Sequence, residues 1–351
     1  MSRSELAGKA QTVLGAISPE ALGITLPHEH LFVDLTIGLK GYEPSEATEK
    51  AFYHQPVNLN NLWWIAYHPI SNLDNRRLQD EELAIREASF YKNAGGDTIV
   101  DASNLHMARD PLALARVSRA TGLNVITGSG YYVPRSYPAD MDSKTEEDIC
   151  HEIVHEVTVG VGDTGIRAGI IGEIGCEWPL SDNERKVLRA AAAAQQGTGA
   201  PLSIHPGRNA SAPLEIVEIL SKAGADISHT VISHIDRTLR EPEGRRQLAE
   251  TGCYLEYDLF GEEGYYFVPT IDLPNDHQRI NEIIELINQG YLNQILISQD
   301  ICWKHRLRSY GGHGYDHILR NAVPIMRIKG MSEEQIHTLL VDNPKRLLTF
   351  G

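Results

Sequence analysis

The amino-acid sequence predicts an α/β fold, a (β/α)8 TIM barrel with a long insertion after its first strand. From residue 81 to the end, short apolar runs alternate with longer helical patterns, which indicates a parallel sheet built of βα units. With an earlier run near residue 28 there are eight, and metal-ligating types of side chain follow five of them. A barrel of this kind takes roughly 250 residues or more, so we expect one domain over residues 1–351. A doubly wound open sheet is the alternative, but no G-x-G-x-x-G motif follows the first strand.

The predicted strands are short apolar runs rich in β-branched residues, as is typical of buried parallel strands. The first ends near His28. The other seven are predicted over residues 98–100, 124–126, 168–171, 201–204, 230–232, 254–255 and 294–297.

Helices are predicted between these strands. Ser181 and Asp182 begin a helix that continues to Gly197, and a second helix runs over 212–222 and ends before Gly224. The segment 36–80 contains proline and tryptophan but little periodicity, and it is too long for an ordinary βα loop. We therefore expect it to be an insertion over the active face.

Composition excludes several classes of protein. The chain has 32 Lys and Arg against 47 Asp and Glu, a net charge of −15, which argues against a nucleic-acid partner. There is no apolar run of about 18 residues and no apolar N-terminal stretch, so neither a membrane span nor a secretory signal is predicted. Four scattered cysteines predict reduced thiols rather than a disulfide scaffold. We expect a cytoplasmic protein.

Candidate metal ligands stand at the ends of the predicted strands. His28 and His30 lie two residues apart, so both imidazoles share one face of a strand and can bind one ion. One further candidate follows each of four later runs: Glu173, His205, His234 and Asp300. Each is weak evidence alone, but strand ends of a barrel meet at one rim. Together they predict a site for Zn²⁺ or a similar ion such as Mn²⁺, Fe²⁺ or Co²⁺.

A second metal-binding pattern competes with this set. His151, Glu152 and His155 fit H-E-x-x-H, which on a helix is typical of zinc metallopeptidases. The surrounding residues are predicted to form the helix before the fourth strand, which in a barrel lies on the outside. We therefore expect these residues to form a solvated helix face.

Several longer motifs carry a family resemblance: GITLPHEHLFVDL, GIIGEIGCEWPL, LSIHPGRN, VISHIDRT, GCYLEYDLFG, YGGHGYDHI and the closing DNPKRLL. Over nearly its whole length the chain resembles the phosphotriesterase family of the amidohydrolase superfamily, and most closely its phosphotriesterase-related subfamily. The resemblance implies two divalent ions bridged by a hydroxide and a carboxylate, and we expect zinc from the types of ligand. By this resemblance His28, His30 and Asp300 bind the more buried ion, and His205 and His234 bind the more exposed one. Glu173 stands where phosphotriesterases carry a carboxylated lysine and is expected to bridge both ions.

Other residues are candidates for contacts to the substrate or to the ligands. Arg208, three residues after His205, is expected at the rim, where it could bind an anionic group, although a surface ion pair is equally open. Tyr131, Tyr132 and His305 are candidates for the pocket wall, with packing as the alternative. Asp236 is not expected to bind metal itself but to hydrogen-bond to His234 or Asp300 and so orient that ligand.

The resemblance implies a hydrolase that acts on the carbonyl of a small N-acyl amide, an N-acyl amino acid or N-acyl taurine, with Asp300 accepting the proton of the attacking hydroxide. Lactone or carboxylic ester hydrolysis is the alternative. Phosphotriester cleavage is expected to be weak, because Asp258 is followed by Leu259 where a phosphotriesterase has histidine. A non-catalytic metal-binding barrel is the third hypothesis. The expected partner is a small-molecule substrate, with no nucleic acid or membrane, and a homodimer is common in the family.

Overall fold

Eight parallel strands follow one another in chain order around a single sheet that winds nearly into a barrel. The computed structural model describes residues 3–36, 43–267 and 270–351. The strands are β1 (Thr25–Glu29), β2 (Thr98–Asp101), β3 (Asn124–Ser129), β4 (Ile170–Gly175), β5 (Leu202–His205), β6 (Thr230–Ile232), β7 (Tyr254–Tyr257) and β8 (Ile295–Ile297). The predicted TIM-barrel fold is confirmed.

Seven helices form the outer layer between the strands. They are α1 (Glu81–Asn93), α2 (Pro111–Thr121), α3 (Glu146–Thr158), α4 (Asp182–Thr198), α5 (Ala212–Lys222), α6 (Pro242–Ala249) and α7 (Asp276–Asn288). A capping box begins α4, in which Ser181 and Glu184 each bind the other's backbone N–H. The predicted helix over 212–222 is confirmed, and the other ends one residue beyond the predicted Gly197. Further short helices span Arg3–Leu6, Ile235–Thr238, Val323–Ile328, Glu333–His337 and Asn343–Leu348.

Successive strand residues divide between two apolar clusters. Ile99 and Val125 pack in the large cluster that includes the inner faces of the helices. Their neighbours Val100 and Ile126 belong to a separate cluster with Leu348. Because side chains of a strand alternate between its two faces, the second cluster lies inside the barrel. Both sides of the sheet are therefore buried.

The strand β4 carries a bulge that changes the direction of its polar residue. Ser129 of β3 pairs with both Ile171 and Gly172, and the pairing with β5 skips from Ile171 to Ile174. Gly172 has φ +133°, and a Cβ there would lie 2.4 Å from the carbonyl oxygen of Ser203. Only glycine fits this conformation and this space. The predicted strand over 168–171 therefore begins two residues later and extends past Glu173.

Side-chain hydrogen bonds join the first and last strands. The backbone N–H groups of Gln299 and Ile301 each donate to the Glu29 carboxylate at 2.9 Å, and the Ser298 hydroxyl lies 2.8 Å from Glu29 Oε1. His28 N–H donates to Ser298 Oγ at 3.1 Å. Burial raises the pKa of Glu29 to about 7. These contacts fasten β1 to the segment after β8.

The predicted insertion contains the helices Ala47–His54 and Leu62–Ile65 and a small apolar cluster around Trp64. It is enclosed by two antiparallel strands, Val33–Asp34 and Arg77–Leu78. Residues 37–42 of the insertion lie outside the described residues. Another antiparallel pair of strands, Gly264–Phe267 and Thr270–Leu273, follows β7.

Two sequence expectations concern the chain as a whole. The cysteines are free thiols, and three of the four are buried, as predicted. A helix with both the length and the apolar character required to cross a membrane is absent from the described ranges.

The bulge leads to a first prediction. Gly172→Ala should lower the free energy of unfolding by about 1–3 kcal/mol, because the added methyl group has no space beside Ser203. Gly15→Ala is the matched control, since Gly15 has φ +124° but no atom within 4 Å of its Cβ position. Urea unfolding followed by circular dichroism measures both. Equal losses would show that backbone strain, and not the Ser203 contact, requires the glycine.

Candidate metal centre

The six predicted ligands meet at the carboxyl ends of the barrel strands. Two nitrogens from β1 face the carboxylate that follows β8: His30 Nε2 lies 3.1 Å and His28 Nε2 lies 3.8 Å from Asp300 Oδ1. Both imidazoles are buried. These three side chains form the first cluster of ligand atoms.

A second cluster lies beside the first, toward the open end of the barrel. His205 Nδ1 and His234 Nε2 are 2.8 Å apart. Both face Glu173 Oε2, at 2.9 Å from His205 Nδ1 and 3.5 Å from His234 Nε2. His205 is the more exposed of the two histidines.

Glu173 stands between the two clusters. Its Oε1 lies 3.5 Å from His30 Nε2, and its Oε2 lies 3.6 Å from His28 Nε2. Burial alone would raise the pKa of Glu173, but the adjacent His205 and His28 hold it well below its usual range. The carboxylate is therefore ionised and in contact distance of both sets of imidazoles.

Two acids from the end of β7 orient the imidazoles. His28 Nδ1 donates to Glu256 Oε2 at 3.1 Å, and His234 Nδ1 donates to Asp258 Oδ1 at 2.8 Å. With Nδ1 occupied in this way, Nε2 of each ring faces the centre of the site. Sequence reasoning missed this function, although Glu256 and Asp258 are two residues apart and so share one face of the strand.

The described hydrogen bonds of Asp236 are with residues other than His234 and Asp300. Its Oδ2 accepts from Arg279 Nε at 2.7 Å and from the backbone N–H of Leu259 at 3.1 Å. Asp236 is close to His234 in the sequence, but it begins a helical turn that leads away from the strand end. The support for His234 comes instead from Asp258 on the neighbouring strand.

The donor set fits divalent cations. The buried Nε2 of His28 has no hydrogen-bond partner among the described residues, although its ring is fixed through Nδ1. Ligand atoms of His28, Glu173 and His234 lie within 4.8 Å of one another, as do those of His28, His30 and Asp300. Imidazole nitrogens with carboxylate oxygens are ligands that Zn²⁺ and similar ions prefer.

Two of these residues have unusual backbone conformations. His234 has φ +56° and Asp300 has φ +46°, the left-handed region that favours glycine. The N–H of His234 donates to Asp258 at 3.1 Å, and that of Asp300 donates to the His28 carbonyl at 3.2 Å. Such strain persists where surrounding contacts hold the backbone, and it is concentrated at functional sites. Burial would raise the pKa of Asp300, but the hydrogen bond with His30 lowers it to about 2.

A cavity of about 570 Å³ opens directly above the two clusters. His205 and Asp300 border it, and Pro69 and Ile70 of the insertion form part of its wall. Its apolar wall also includes Tyr132, Trp178, Leu259, Leu273 and Trp303. The cationic side chains on the wall are Arg135, Arg208 and Arg237.

The structure separates the predicted wall residues into two groups. Arg208 and Tyr132 line the cavity, and the Tyr132 ring meets the His205 ring edge-on at 5.1 Å. Arg208 is exposed at the cavity mouth. Tyr131 and His305 are absent from the described wall, where the sequence had led us to expect them.

Each of these two residues is held by another element. The Tyr131 hydroxyl donates to the carboxylate of Glu152 on α3, on the outside of the barrel. His305 Nδ1 lies 3.0 Å from Asn75 Oδ1, and its backbone N–H donates to the same oxygen at 2.8 Å. Burial lowers the pKa of His305 to about 3. His305 therefore ties the segment after β8 to the insertion.

The H-E-x-x-H pattern lies on the outer helix α3, as predicted. His151 and His155 are exposed, and Glu152 binds Tyr131 and Lys144. Within the described parts of the chain, neither histidine belongs to a group of potential metal ligands.

Sequence reasoning also missed Arg237. Its Nη2 donates to His205 Nε2 at 3.1 Å, on the side of the ring that faces away from Glu173. The signal was available, because Arg237 follows His234 by three residues, just as Arg208 follows His205.

The chain is similar to known proteins over its full length. The sequence profile described as "Phosphotriesterase family" matches residues 8–348. An N-acetyltaurine hydrolase of Bos taurus is 44% identical over 350 residues, which cover 99% of each chain. A resiniferatoxin-binding protein from Rhodobacter sphaeroides superimposes with a TM-score of 0.94 at 35% identity, over 99% of this chain and 98% of the other. A lactonase from Listeria monocytogenes superimposes with a TM-score of 0.79 at 26% identity, over 98% and 99% of the two chains.

A second prediction distinguishes the strand-end histidines from those of α3. His28→Ala should lose bound divalent metal, because it removes a buried nitrogen shared by both groups of ligand atoms. His151→Ala should retain metal at the level of the unmodified protein, since this side chain is exposed on the outer layer. Elemental analysis after gel filtration measures both. Metal loss in His151→Ala alone would assign the metal to α3.

A third prediction concerns the acids behind the ligands. Glu256→Gln should weaken metal binding roughly 10–100-fold, because such partners orient the imidazole and raise its basicity. Competition with a chelator measures the affinity. Glu152→Gln is the control, since Glu152 lies on the outer helix, and it should leave the affinity unchanged. Unchanged affinity in Glu256→Gln would mean that His28 is held without this carboxylate.

Proposed function

The chain belongs to the phosphotriesterase family and is a metal-dependent hydrolase, and from this premise we propose that it cleaves the amide bond of small N-acyl amino sulfonates and N-acyl amino acids. The observation that carries this proposal is the position of Glu173, whose carboxylate faces two clusters of imidazoles at the floor of a cavity. The similarity to an enzyme named N-acetyltaurine hydrolase supports the substrate class.

Two divalent ions have separate sets of ligands in this proposal. His28, His30 and Asp300 would hold the more buried ion, and His205 and His234 would hold the more exposed one. Glu173 would contribute to both, which requires no carboxylated lysine. Zinc suits these nitrogen and oxygen ligands. Mn²⁺, Fe²⁺ and Co²⁺ are alternatives, because they also bind imidazole nitrogens and carboxylate oxygens.

Ions bound by these residues would supply an activated water near neutral pH and would polarise a carbonyl oxygen. Asp300 borders the cavity and, with a pKa of about 2, is ionised at neutral pH. Its carboxylate accepts the proton that the attacking water loses and passes it to the amine nitrogen as the C–N bond breaks. The products are then a carboxylic acid and a free amine.

The cavity suits a small polar substrate. A volume of about 570 Å³ is in the range of small-molecule sites, and its wall is mostly apolar. The net charge of the chain is −15, but the cavity wall carries three arginines. We propose that Arg208, exposed at the mouth, attracts substrates with an anionic tail.

Hydrolysis of lactones or carboxylic esters is the second candidate function. The same site would attack an ester carbonyl, and the similarity to the Listeria monocytogenes lactonase favours this alternative. Phosphotriester hydrolysis is proposed only as a weak side activity.

The test is a substrate panel with protein of known metal content. We expect kcat/KM for N-acetyltaurine to exceed that for γ-butyrolactone at least 100-fold. Glu173→Gln should lose at least one ion and most activity, because a neutral amide cannot replace a carboxylate between two cations. A preference for lactones would promote the second candidate. Full metal occupancy in Glu173→Gln would contradict the proposed bridge.

A further inference from the structure

The three arginines on the cavity wall differ in their surroundings. Arg135 forms an ion pair with Glu177. Arg208 is exposed at the mouth, whereas Arg237 is half-buried in the helical turn Ile235–Thr238, directly after His234. Among the described residues, no carboxylate lies within ion-pair distance of Arg237.

Arg237 uses few of its hydrogen-bond donors. Its Nη2 donates to His205 Nε2 at 3.1 Å and approaches the Pro206 carbonyl at 3.3 Å. Its Nε is buried and has no partner in the described parts of the chain. A guanidinium carries five N–H donors and no acceptor, so most of the donating capacity of Arg237 is unused.

Each acid that borders the same cavity already forms an ion pair with a residue other than Arg237. Their ion-pair partners are Arg77 for Asp34, Arg135 for Glu177, Arg306 for Glu262 and His30 for Asp300. The positive charge of Arg237 therefore has to be balanced by something that enters the cavity. A partly desolvated guanidinium favours an anion with several acceptor oxygens.

We propose that Arg237 binds the anionic group of the substrate, a sulfonate or carboxylate, and so determines the preference of the enzyme for acidic N-acyl compounds. The identity of the scissile amide in this inference rests on the proposed function. Arg208, by contrast, acts only at the mouth. Arg237 is a specificity-determining residue and takes no part in bond cleavage.

The position of His205 limits the length of the substrate. Its Nδ1 faces Glu173 at 2.9 Å, where the carbonyl would be attacked, and its Nε2 faces Arg237 at 3.1 Å. One imidazole ring therefore separates the reacting centre from the anion site. The anionic group of the substrate should therefore be close to its amide.

The two contacts of His205 also link metal binding to anion binding. In the structure Nδ1 donates to Glu173, so Nε2 is the acceptor for Arg237. When the lone pair of Nδ1 binds an ion, the hydrogen is on Nε2, and Arg237 loses this acceptor. An anion in the cavity then accepts from both Arg237 and His205. Anion affinity should therefore be higher in the metal-loaded protein than in the metal-free protein.

The first test measures binding without turnover. Butane-1-sulfonate is titrated calorimetrically into zinc-loaded protein. We expect Arg237→Met to weaken its binding at least tenfold, whereas Arg135→Met, a cavity arginine already paired with Glu177, should change it less than threefold. Zinc content should be the same in all three proteins. The unmodified protein should bind the sulfonate more weakly after zinc is removed with a chelator.

The second test measures selectivity. We expect the ratio of kcat/KM for N-acetyltaurine to that for the neutral N-propylacetamide to fall at least 30-fold in Arg237→Met. Arg237→Lys should recover part of the preference, which also guards against a variant that fails to fold. An unchanged ratio in Arg237→Met, or a larger fall in Arg208→Met, would overturn the inference.

The two proposals fail in different ways. If the unmodified protein hydrolyses no N-acyl compound but binds butane-1-sulfonate through Arg237, the anion site is supported and the proposed function is wrong. If N-acetyltaurine is hydrolysed and Arg237→Met keeps the preference for it, the proposed function is supported and the assignment of Arg237 is wrong.

Discussion

The buried carboxylate of Glu29 connects the two ends of the barrel sheet, and the geometry of the site depends on that connection. It accepts backbone N–H groups from Gln299 and Ile301, which flank Asp300 on either side. Asp300 is thereby held in its left-handed conformation, facing His28 and His30. Removing this carboxylate would leave the buried donors unsatisfied, at roughly 1–3 kcal/mol each. The same hydrogen bonds to Glu29 therefore close the sheet and fix the position of Asp300.

The electrostatics of the site favour ligands in their metal-binding forms. Burial and then the charge of Arg237 lower the pKa of His234 well below its ordinary value, so this imidazole is neutral. His28 and His30 are exceptions. Burial lowers the pKa of each, but Glu173 and the hydrogen bond to Glu256 raise that of His28 well above the ordinary value, and the hydrogen bond with Asp300 raises that of His30. A cation that binds at Nε2 of His28 has to displace a proton, so metal affinity should rise with pH.

The sequence allowed the strand ends to be found, but not the contacts between strands. Each ligand follows an apolar run, and parallel strands bring such positions to one rim, so the six residues could be identified together. Asp236 was expected to support His234 or Asp300, whereas the acid bonded to His234 is Asp258 of the adjacent strand, a lateral contact that spacing cannot show. The same limit applies to Tyr131, whose hydroxyl is held by a helix on the outside of the barrel. The bulge at Gly172 depends on the positions of the neighbouring strands, which spacing along the chain does not give.

Catalytic groups and specificity groups come from different parts of this fold. The proposed ligands stand at strand ends, which closure of the sheet holds in place, whereas the cavity wall is built by the insertion and by the segments after the strands. Arg208 and Arg237 show how much these segments matter: both follow a strand-end histidine by three residues, yet one is exposed and the other is half-buried. His205 belongs to both parts, because one ring nitrogen faces Glu173 and the other faces Arg237. Because His205 is held at both ring nitrogens, the wall and the proposed metal site meet at this one imidazole.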